Sequence, residues 1–358
     1  MNKKKVLHII PAFELGGVQT GILYSIEKLN EIYDYKVLVI GKVDEEWVRG
    51  LPFPLKNYLI TIGASFLLPG WVSGYKVVKQ LKPDLIISSL WKSVGLSATF
   101  KFFNKNVVLC GFFHNASSPH LVSTLLSKLI SFVQDAAIAD SYATKMFLKK
   151  FYKIENADVV PYFFEFRLMK ERKSFDPAYV KLAYFGRINK HKGADRSIKL
   201  CSLLKNYGVN FVFDIYGDGP VDLYSHIIKD AGLSGHVYLK EKLPLHLVGE
   251  CMSDYDFILQ LSDYEGMALS VVEAMNMALV PIVTPVGEME RYTKDMENAL
   301  WLNKPFDDNL EKLAQKVKEL IDTPELYYKL SLSASRTFQG HKKYTDTLVE
   351  VINKHLRS

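Results

Sequence analysis

Residues 257–283 read FILQLSDYEGMALSVVEAMNMALVPIV, and this stretch carries the clearest signal of the fold class. Two apolar runs, 257–261 and 279–283, flank a segment of helix length. Continuously apolar strands are typical of parallel sheets that are covered by helices on both faces. The stretch therefore predicts a strand, a loop, a helix that begins near Ala268 and a second strand parallel to the first.

The same alternation of apolar runs and helix-length segments extends along the whole chain. The runs of the first half are KVLHII, YKVLVIG, NYLITIG, DLIISSL, NVVLCGFF, AAIADS and DVVPYFF. Those of the second half are VKLAYFG, FVFDIYG, HVYLK, DFILQLS, LVPIVTP and ALWLN. They predict an α/β protein with two doubly wound domains, 1–166 and 167–340. A C-terminal helix, 341–358, is expected to pack back on the first domain, and ligands are expected in the cleft between the domains.

Composition indicates a soluble globular protein, since 48% of the 358 residues are hydrophobic and 23% are charged. No apolar run is long enough to span a bilayer. The first apolar run stops at Pro11, which favours a buried strand over a targeting segment. The three cysteines, Cys110, Cys201 and Cys251, lack metal-ligand spacing and suit a reducing cytoplasm.

The net charge of +6 is unevenly distributed, because residues 1–165 carry 19 Lys/Arg against 13 Asp/Glu while residues 166–358 carry 26 of each. This asymmetry favours an anionic partner for the first half, either a membrane surface or a charged acceptor, and no motif indicates nucleic acid. The segment 66–82 combines Phe66, Leu67, Leu68, Trp71 and Tyr75 with Lys76, Lys79 and Lys82. It is either a membrane contact at the inner face of the cytoplasmic membrane or an ordinary helix packed on the sheet.

Adjacent glycines, Gly16 and Gly17, separate the first strand from the first helix. Glycines at this position let backbone amides approach a phosphate, although a simple tight turn is the alternative. The spacing differs from GxGxxG, which disfavours a dinucleotide-dependent oxidoreductase.

The first strand of the second domain is followed by a basic loop that contains Arg187, Lys190 and Lys192. Cations beside a helix N-terminus are electrostatically unfavourable unless an anion is also bound there. Arg187 and Lys192 are therefore candidates to bind a diphosphate, and a solvated basic loop is the alternative.

Two glutamates, Glu265 and Glu273, stand eight positions apart around an apolar segment. Eight helical residues rise about 12 Å, too far for a tight acid–base pair, so the two carboxylates are expected to bind separate parts of one extended ligand. Between them lie Gly266, Met267, Ala268 and Leu269, whose amides at the helix start suit a phosphate. The alternative for Glu273 is an ion pair with a structural Lys or Arg.

Five motifs occur in the order found in one enzyme family: LGG, IADSYATKMF, FGRINKHKG, IYGDGP and the Glu-x7-Glu element. Together they resemble the family 4 glycosyltransferases, also described as glycosyl transferases group 1. The resemblance implies the GT-B fold, in which two Rossmann-like domains face each other across a cleft. It also implies transfer with retention of anomeric configuration.

The resemblance assigns roles to the candidate residues. Glu273 would bind the nucleotide ribose hydroxyls, and Glu265 would face the donor sugar. Arg187 and Lys192 would hold the diphosphate, and the Gly16–Gly17 turn would close on it from the first domain. His114 matches a family position near the transferred sugar, although a single histidine at a strand end is more often structural.

The chain also departs from the family pattern. Residues 161–163 read Pro-Tyr-Phe where the family commonly has Pro-Asn-Gly, and Ala278 stands where glycine is usual. Met267-Ala268 replaces a bulkier or Gly/Pro-containing pair, which leaves the donor sugar undetermined.

An Asp-x-Asp pattern at Asp254-Tyr255-Asp256 precedes a predicted buried strand, on the side away from its carboxyl end. It is interpreted as a turn, and neither a metal nor another cofactor is expected.

The sequence thus predicts a retaining glycosyltransferase that moves a hexose or N-acetylhexosamine from a nucleotide diphosphate sugar, most simply a UDP-sugar. The acceptor would be a glycan or lipid-linked glycan in bacterial surface polysaccharide synthesis, that is capsule, O-antigen or lipopolysaccharide. A nucleotide-sugar epimerase or a phosphorylase on the same fold is the alternative, and a non-enzymatic partner subunit is disfavoured.

Overall fold

The computed structural model describes residues 3–14, 16–45, 55–62, 68–114, 121–163 and 174–357. The chain divides into two compact units, Met1–Phe164 with Lys342–Ser358, and Glu165–His341.

The first unit is built on a parallel sheet. Its strands are β1 (Lys5–Ile10), β2 (Asp34–Val39), β3 (Leu59–Thr61), β4 (Leu85–Ser89), β5 (Val108–Phe113), β6 (Ala136–Ala139) and β7 (Ala157–Val159), in the order β3-β2-β1-β4-β5-β6-β7. Its helices are α1 (Gly17–Ile32), α2 (Leu68–Leu81), α3 (Val94–Phe103), α4 (Leu121–Val133), α5 (Tyr142–Phe147) and, at the end of the chain, α13 (Tyr344–Arg357). A π-helical turn, Leu148–Tyr152, continues α5.

The core of this unit lies between the sheet and its helices. Leu7 and Ile86 of the central strands are buried against Leu96 and Phe100 of α3, as the apolar strand runs require. Burial of an apolar side chain of this size contributes about 1.5–3 kcal/mol.

The C-terminal helix α13 packs on α1 of the first unit. The hydroxyl of Tyr33 donates to Oδ1 of Asn353 at 2.9 Å, and Nζ of Lys354 lies 2.6 Å from Oδ1 of Asp158. The backbone amide of Tyr344 also donates to the carbonyl of Phe163 at 2.8 Å.

The second unit is also built on a parallel sheet. Its strands are β8 (Val180–Phe185), β9 (Phe211–Tyr216), β10 (Val237–Lys240), β11 (Phe257–Gln260), β12 (Val280–Val283) and β13 (Leu300–Trp301), in the order β10-β9-β8-β11-β12-β13. Its helices are α6 (Ala194–Asn206), α7 (Val221–Asp230), α8 (Leu245–Met252), α9 (Leu269–Asn276), α10 (Met289–Tyr292), α11 (Phe306–Asp322) and α12 (Pro324–Arg336).

The strand–loop–helix–strand unit predicted from residues 257–283 is present. Strands β11 and β12 pair in parallel, with Phe257 opposite Val280 and Leu259 opposite Ile282. Helix α9 begins at Leu269, one residue after the predicted start. The doubly wound α/β class predicted for both halves is confirmed.

The structure favours the packed-helix interpretation of segment 66–82. In α2, Tyr75, Val77 and Leu81 pack against the core of the first unit, and Lys76, Lys79 and Lys82 are exposed. Phe66, Leu67 and the side chain of Leu68 lie outside the described residues. No helix in the described ranges is both long and apolar enough to cross a membrane.

Candidate functional site

Glu265 lies in the loop after β11, with only 6% of its side chain exposed, and both of its carboxylate oxygens accept hydrogen bonds. Lys192 Nζ lies 2.8 Å from its Oε1 and 2.7 Å from its Oε2. Ser262 Oγ donates to Oε1 at 2.7 Å and Gln260 Nε2 donates to it at 3.1 Å. Oε1 therefore accepts three hydrogen bonds and Oε2 one, which leaves Oε2 capacity to accept another.

The segment after β12 holds this loop in place. Thr284 Oγ1 donates to the carbonyl of Ser262 at 2.6 Å, and the hydroxyl of Tyr292 donates to the carbonyl of Met267 at 3.0 Å. Gly287, at φ +60°, packs so closely that a Cβ there would overlap the carbonyl of Glu265. A side chain at position 287 would therefore displace the loop.

Lys192 comes from a short 3-10 turn, Lys190–Lys192, between β8 and α6. Asn189 Oδ1 accepts from the amide of Lys192 at 2.9 Å and so caps the turn. Gly193, at φ +76°, ends the turn where a Cβ would overlap the carbonyl of Leu261. This close approach brings Lys192 to the carboxyl end of β11.

Arg187 lies on the same connection and is exposed. In the described ranges it forms no ion pair, whereas Lys192 is neutralised by Glu265. The uncompensated positive charge of this connection therefore rests on Arg187 and on the exposed Lys190.

Helix α9 begins with backbone amides that its own hydrogen-bond ladder does not use. Ala268, its N-cap, adopts a left-handed conformation at φ 54° and provides no side-chain cap. The first backbone bonds of the helix run from the amides of Val271 and Val272 to the carbonyl of Ala268. The amides of Ala268, Leu269 and Ser270 precede this ladder, the position at which helices bind anions.

Glu273 is a buried carboxylate, 7% exposed, one turn into α9. Within the described part of the chain its side chain forms neither a hydrogen bond nor an ion pair. The described residues therefore do not support the alternative that a structural Lys or Arg pairs with it. Burial raises the pKa of its carboxyl to about 8. A group of this kind either keeps a proton or receives hydrogen bonds from a ligand.

Gly16 and Gly17 stand at the start of α1 in the first unit, as the N-cap and the first helical residue. A Cβ on Gly17 would have no heavy atom within 4 Å. Packing inside the unit therefore does not explain why this position is glycine.

His114, at the end of β5, has both ring nitrogens engaged by side chains of the first unit. Nε2 lies 2.9 Å from Ser89 Oγ, and Nδ1 lies 3.0 Å from the hydroxyl of Tyr162. Ser89 Oγ is also 2.7 Å from Nε2 of the buried His8. Burial, reinforced by His8, holds the pKa of His114 well below its usual value, so the ring is neutral.

The contact between Tyr162 and His114 was not predicted from the sequence. Its ring stacks on Tyr344 of α13 with centroids 4.8 Å apart, and it fills the space over Gly21 of α1, where a Cβ would overlap it. The signal was present, because Tyr162 stands where the family commonly has asparagine. Gln260 and Ser262 were missed as well, although a glutamine at the end of an apolar strand run is itself unusual.

Asp256 of the Asp-x-Asp pattern is bound by the protein backbone. Asp256 Oδ2 accepts from the amide of Lys181 at 2.9 Å, and the amide of Asp256 donates to the carbonyl of Lys181 at 2.8 Å. Across the described ranges no group of three His, Cys, Asp or Glu side chains forms a metal-binding cluster.

Comparison with known proteins identifies the class. Residues 166–336 match the family model for glycosyl transferases group 1, which confirms the resemblance inferred from the motifs. The loop of Glu265, the turn of Lys192 and helix α9 all lie in this matched region.

One relative with curated function is the poly(ribitol-phosphate) α-N-acetylglucosaminyltransferase of Staphylococcus aureus, strain COL. It is 26% identical over 149 residues, which cover 40% of this chain and 29% of the relative. The match thus spans less than a third of that relative's length.

Two solved structures share the fold over nearly the whole chain. Anabaena Alr3699/HepE, in complex with UDP and glucose, has a TM-score of 0.79 at 15% identity and covers 98% of this chain and 100% of its own. WaaG, a glycosyltransferase involved in lipopolysaccharide biosynthesis, has a TM-score of 0.76 at 13% identity and covers 96% of this chain and 98% of its own. The GT-B fold class predicted from the sequence is confirmed.

Proposed function

We propose that this protein is a retaining glycosyltransferase that moves a hexose or N-acetylhexosamine from a UDP-sugar to a glycan or lipid-linked glycan acceptor. The observation that carries the proposal is Glu273, a buried carboxylate without a described protein partner inside the matched domain. Hydroxyl groups are the neutral donors that would satisfy such a carboxylate without adding charge. The two vicinal hydroxyls of a nucleotide ribose suit this role.

The diphosphate would lie between the start of α9 and the β8–α6 connection. Amides of Ala268, Leu269 and Ser270 offer hydrogen bonds, and Arg187 offers a planar cation. Lys192 uses two of its three N–H groups on Glu265, so one remains for a phosphate oxygen. The UDP complex of Anabaena HepE supports a uridine nucleotide for this fold.

The role proposed for Glu265 follows from its contacts. A carboxylate that already accepts four hydrogen bonds is a weak nucleophile, which disfavours a covalent double displacement. Its Oε2 accepts from Lys192 and retains capacity for a sugar hydroxyl. Glu265 therefore orients the sugar ring of the donor.

Transfer would occur on one face of the sugar. The acceptor oxygen bonds to the anomeric carbon, the bond from that carbon to the β-phosphate oxygen breaks, and the acceptor proton passes to a phosphate oxygen of UDP. Arg187, Lys192 and the α9 amides stabilise the charge that develops on the leaving diphosphate. The α-N-acetylglucosaminyl transfer named for the Staphylococcus relative is consistent with retention from an α-linked donor.

His114 would help to position the transferred sugar and would not transfer a proton. Its two nitrogens are held by Ser89 and Tyr162, and burial keeps it neutral. The Gly16–Gly17 turn would add backbone amides to the diphosphate. Transfer would need no metal ion or other cofactor.

A place in bacterial surface polysaccharide synthesis is supported by the relatives named for poly(ribitol-phosphate) and lipopolysaccharide. We place the enzyme in the cytoplasm, with its first unit in peripheral contact with the inner face of the anionic cytoplasmic membrane. The basic excess of that unit supports this location.

The test is UDP affinity measured by calorimetry in Arg187→Ala and Glu273→Ala. Loss of a hydrogen bond to a charged group costs roughly 1.5–3 kcal/mol, so each variant should bind about 10- to 150-fold more weakly. Arg336→Ala, an exposed arginine in α12, is the matched control and should bind normally. Unchanged affinity in both site variants would refute the donor site.

Retention is tested separately by magnetic resonance of the product formed from the tightest-binding UDP-sugar. The anomeric configuration should match that of the donor, and inversion would refute this part of the proposal. Product formed without any acceptor would instead indicate an epimerase.

A further inference from the structure

An apolar surface is exposed on three consecutive helices of the first unit. It comprises Phe102, Phe103, Leu125, Leu129, Phe132, Met146 and Phe151, which lie on α3, α4, α5 and the π-helical turn; we call it the α3–α5 face. Phe132 is 86% exposed, Phe102 70% and Phe103 67%. Single exposed apolar residues are ordinary, but a set of this size marks an interaction surface.

The topology places these helices side by side. Strands β4, β5, β6 and β7 are consecutive neighbours in the sheet, so right-handed crossovers put α3, α4 and α5 on the same face. Lys101 Nζ lies 2.7 Å from Asp135 Oδ2, which holds the end of α3 beside the end of α4. The rings of Phe102 and Phe103 meet edge to face at 5.1 Å.

The same face is basic. Residues 94–152, from the start of α3 to the end of the π-helical turn, carry six lysines and no arginine against two aspartates, so four of the six net charges of the chain fall there. Lys105 and Lys128 are exposed and form no ion pair in the described ranges. The exposed Lys76 and Lys79 of α2 border the face, since the ring of Tyr75 lies 6.4 Å from that of Phe103.

We propose that the α3–α5 face docks on an anionic lipid surface. Exposed phenylalanines among lysines suit the boundary between acyl chains and anionic headgroups. A second copy of this chain is disfavoured as the occupant, because it would bring two basic faces together. The inference deepens the membrane contact of the proposed function and moves it from segment 66–82 to these helices.

The experiment is co-sedimentation of the full chain with vesicles of phosphatidylcholine, with and without phosphatidylglycerol, in the absence of nucleotide sugar. Each lysine near an anionic surface contributes about fivefold in affinity, so Lys105→Glu/Lys128→Glu should bind at least about 25-fold more weakly. Phe102→Gln/Phe132→Gln should bind at least roughly tenfold more weakly. Binding of the natural chain should require phosphatidylglycerol and decrease with salt.

Matched controls come from the second unit. Val221→Gln/Leu223→Gln removes exposed apolar residues from α7, and Lys229→Glu/Lys329→Glu reverses exposed lysines; both should bind like the natural chain. Thermal unfolding checks that every variant is folded. UDP affinity, measured without vesicles, tests the proposed donor site independently of the membrane-docking proposal.

Three results would overturn the proposal. One is equal sedimentation with and without phosphatidylglycerol, or none with either. Another is vesicle binding that stays unchanged in Phe102→Gln/Phe132→Gln or in Lys105→Glu/Lys128→Glu. The third is a dimer, seen by light scattering, that Phe102→Gln/Phe132→Gln dissociates, since a second copy would then cover the face.

Discussion

Lys192 and Glu265 form a two-point ion pair, with Nζ 2.8 Å from Oε1 and 2.7 Å from Oε2, and only 6% of the glutamate side chain is exposed. The sequence motifs assign these residues to different parts of the donor, the lysine to the diphosphate and the glutamate to the sugar. Their pairing means that the charge of one controls what the other can bind.

We expect Glu265→Gln to bind UDP more tightly, by about two- to fivefold, because Lys192 would gain an uncompensated charge for the diphosphate. Transfer should nevertheless become slower, since the sugar loses an acceptor. Calorimetry and initial rates measure the two effects. Weaker UDP binding in this variant would show that the carboxylate itself contacts the nucleotide.

Lys192→Met should be the more damaging change, because it leaves a buried carboxylate unpaired, at a cost of roughly 3–5 kcal/mol in the free energy of unfolding. The double variant Lys192→Met/Glu265→Gln should recover most of that loss. Denaturant unfolding of the four proteins completes the cycle. If the two single losses simply add, the pair is not coupled.

The buried carboxyl of Glu273 makes stability depend on pH. Its pKa is about 8 in the folded protein against 4.5 when unfolded, so the folded state binds the extra proton between these values. Stability should therefore fall as pH rises from about 4.5 to about 8. Glu273→Gln has no group that titrates at this position. Its free energy of unfolding, relative to that of the natural protein, should therefore increase by a few kcal/mol across that pH range. A pH-independent difference would contradict the burial of an unpaired carboxyl.

Donor binding should show the opposite dependence on pH. Ribose hydroxyls stabilise the ionised carboxylate, so affinity for a UDP-sugar should rise as pH approaches about 8 and level off above it. Calorimetry in buffers of different ionisation enthalpy should detect proton release on binding. Glu273→Gln should show neither effect; if it shows both, another group is responsible.

Two glycines of α1 should respond to alanine in opposite ways. Gly21→Ala would drive a methyl group into the ring of Tyr162, so it should destabilise the protein by roughly 1–3 kcal/mol despite the better helix propensity of alanine. Gly17→Ala meets open space, so thermal stability should be unchanged or higher. Its UDP affinity should nevertheless fall if the Gly16–Gly17 turn approaches the diphosphate. Normal affinity would remove Gly17 from the site.

The hydroxyl of Tyr162 should stabilise the neutral ring of His114. Tyr162→Phe keeps the stacking on Tyr344 and removes the hydrogen bonds of the hydroxyl to His114 Nδ1 and to the Tyr344 side chain, at an expected cost of about 1 kcal/mol each, or up to 3 if the nitrogen is left unsatisfied. Denaturant unfolding measures this cost, with Tyr179→Phe as an exposed control. A fall in transfer rate without a change in UDP affinity would support a positioning role for His114.

Transfer should survive EDTA. Side chains supply the positive charge for the diphosphate and helix amides supply neutral hydrogen-bond donors, while Asp256 is occupied by the backbone of Lys181. Loss of activity on chelation, restored by Mg²⁺ or Mn²⁺, would refute metal independence.

The sequence by itself determined the two parallel sheets and the location of the Glu265 loop. Apolar runs separated by helix-length segments admit few other architectures, and charged residues beside a strand end, such as Arg187 and Glu265, stand out against them. These are local signals, and they depend only on residue type and spacing.

Tertiary structure decided which residues meet. Lys192 and Glu265 are 73 positions apart, His114 and Tyr162 are 48 apart, and only the order of the strands brings each pair within hydrogen-bond distance. Exposure was decided in the same way: Tyr75 is partly buried and Phe132 is exposed to solvent, although Phe132 belongs to the more apolar of the two helices. Periodicity indicates that a helix has an apolar side, but the neighbours that cover that side are set by the packing of the whole unit.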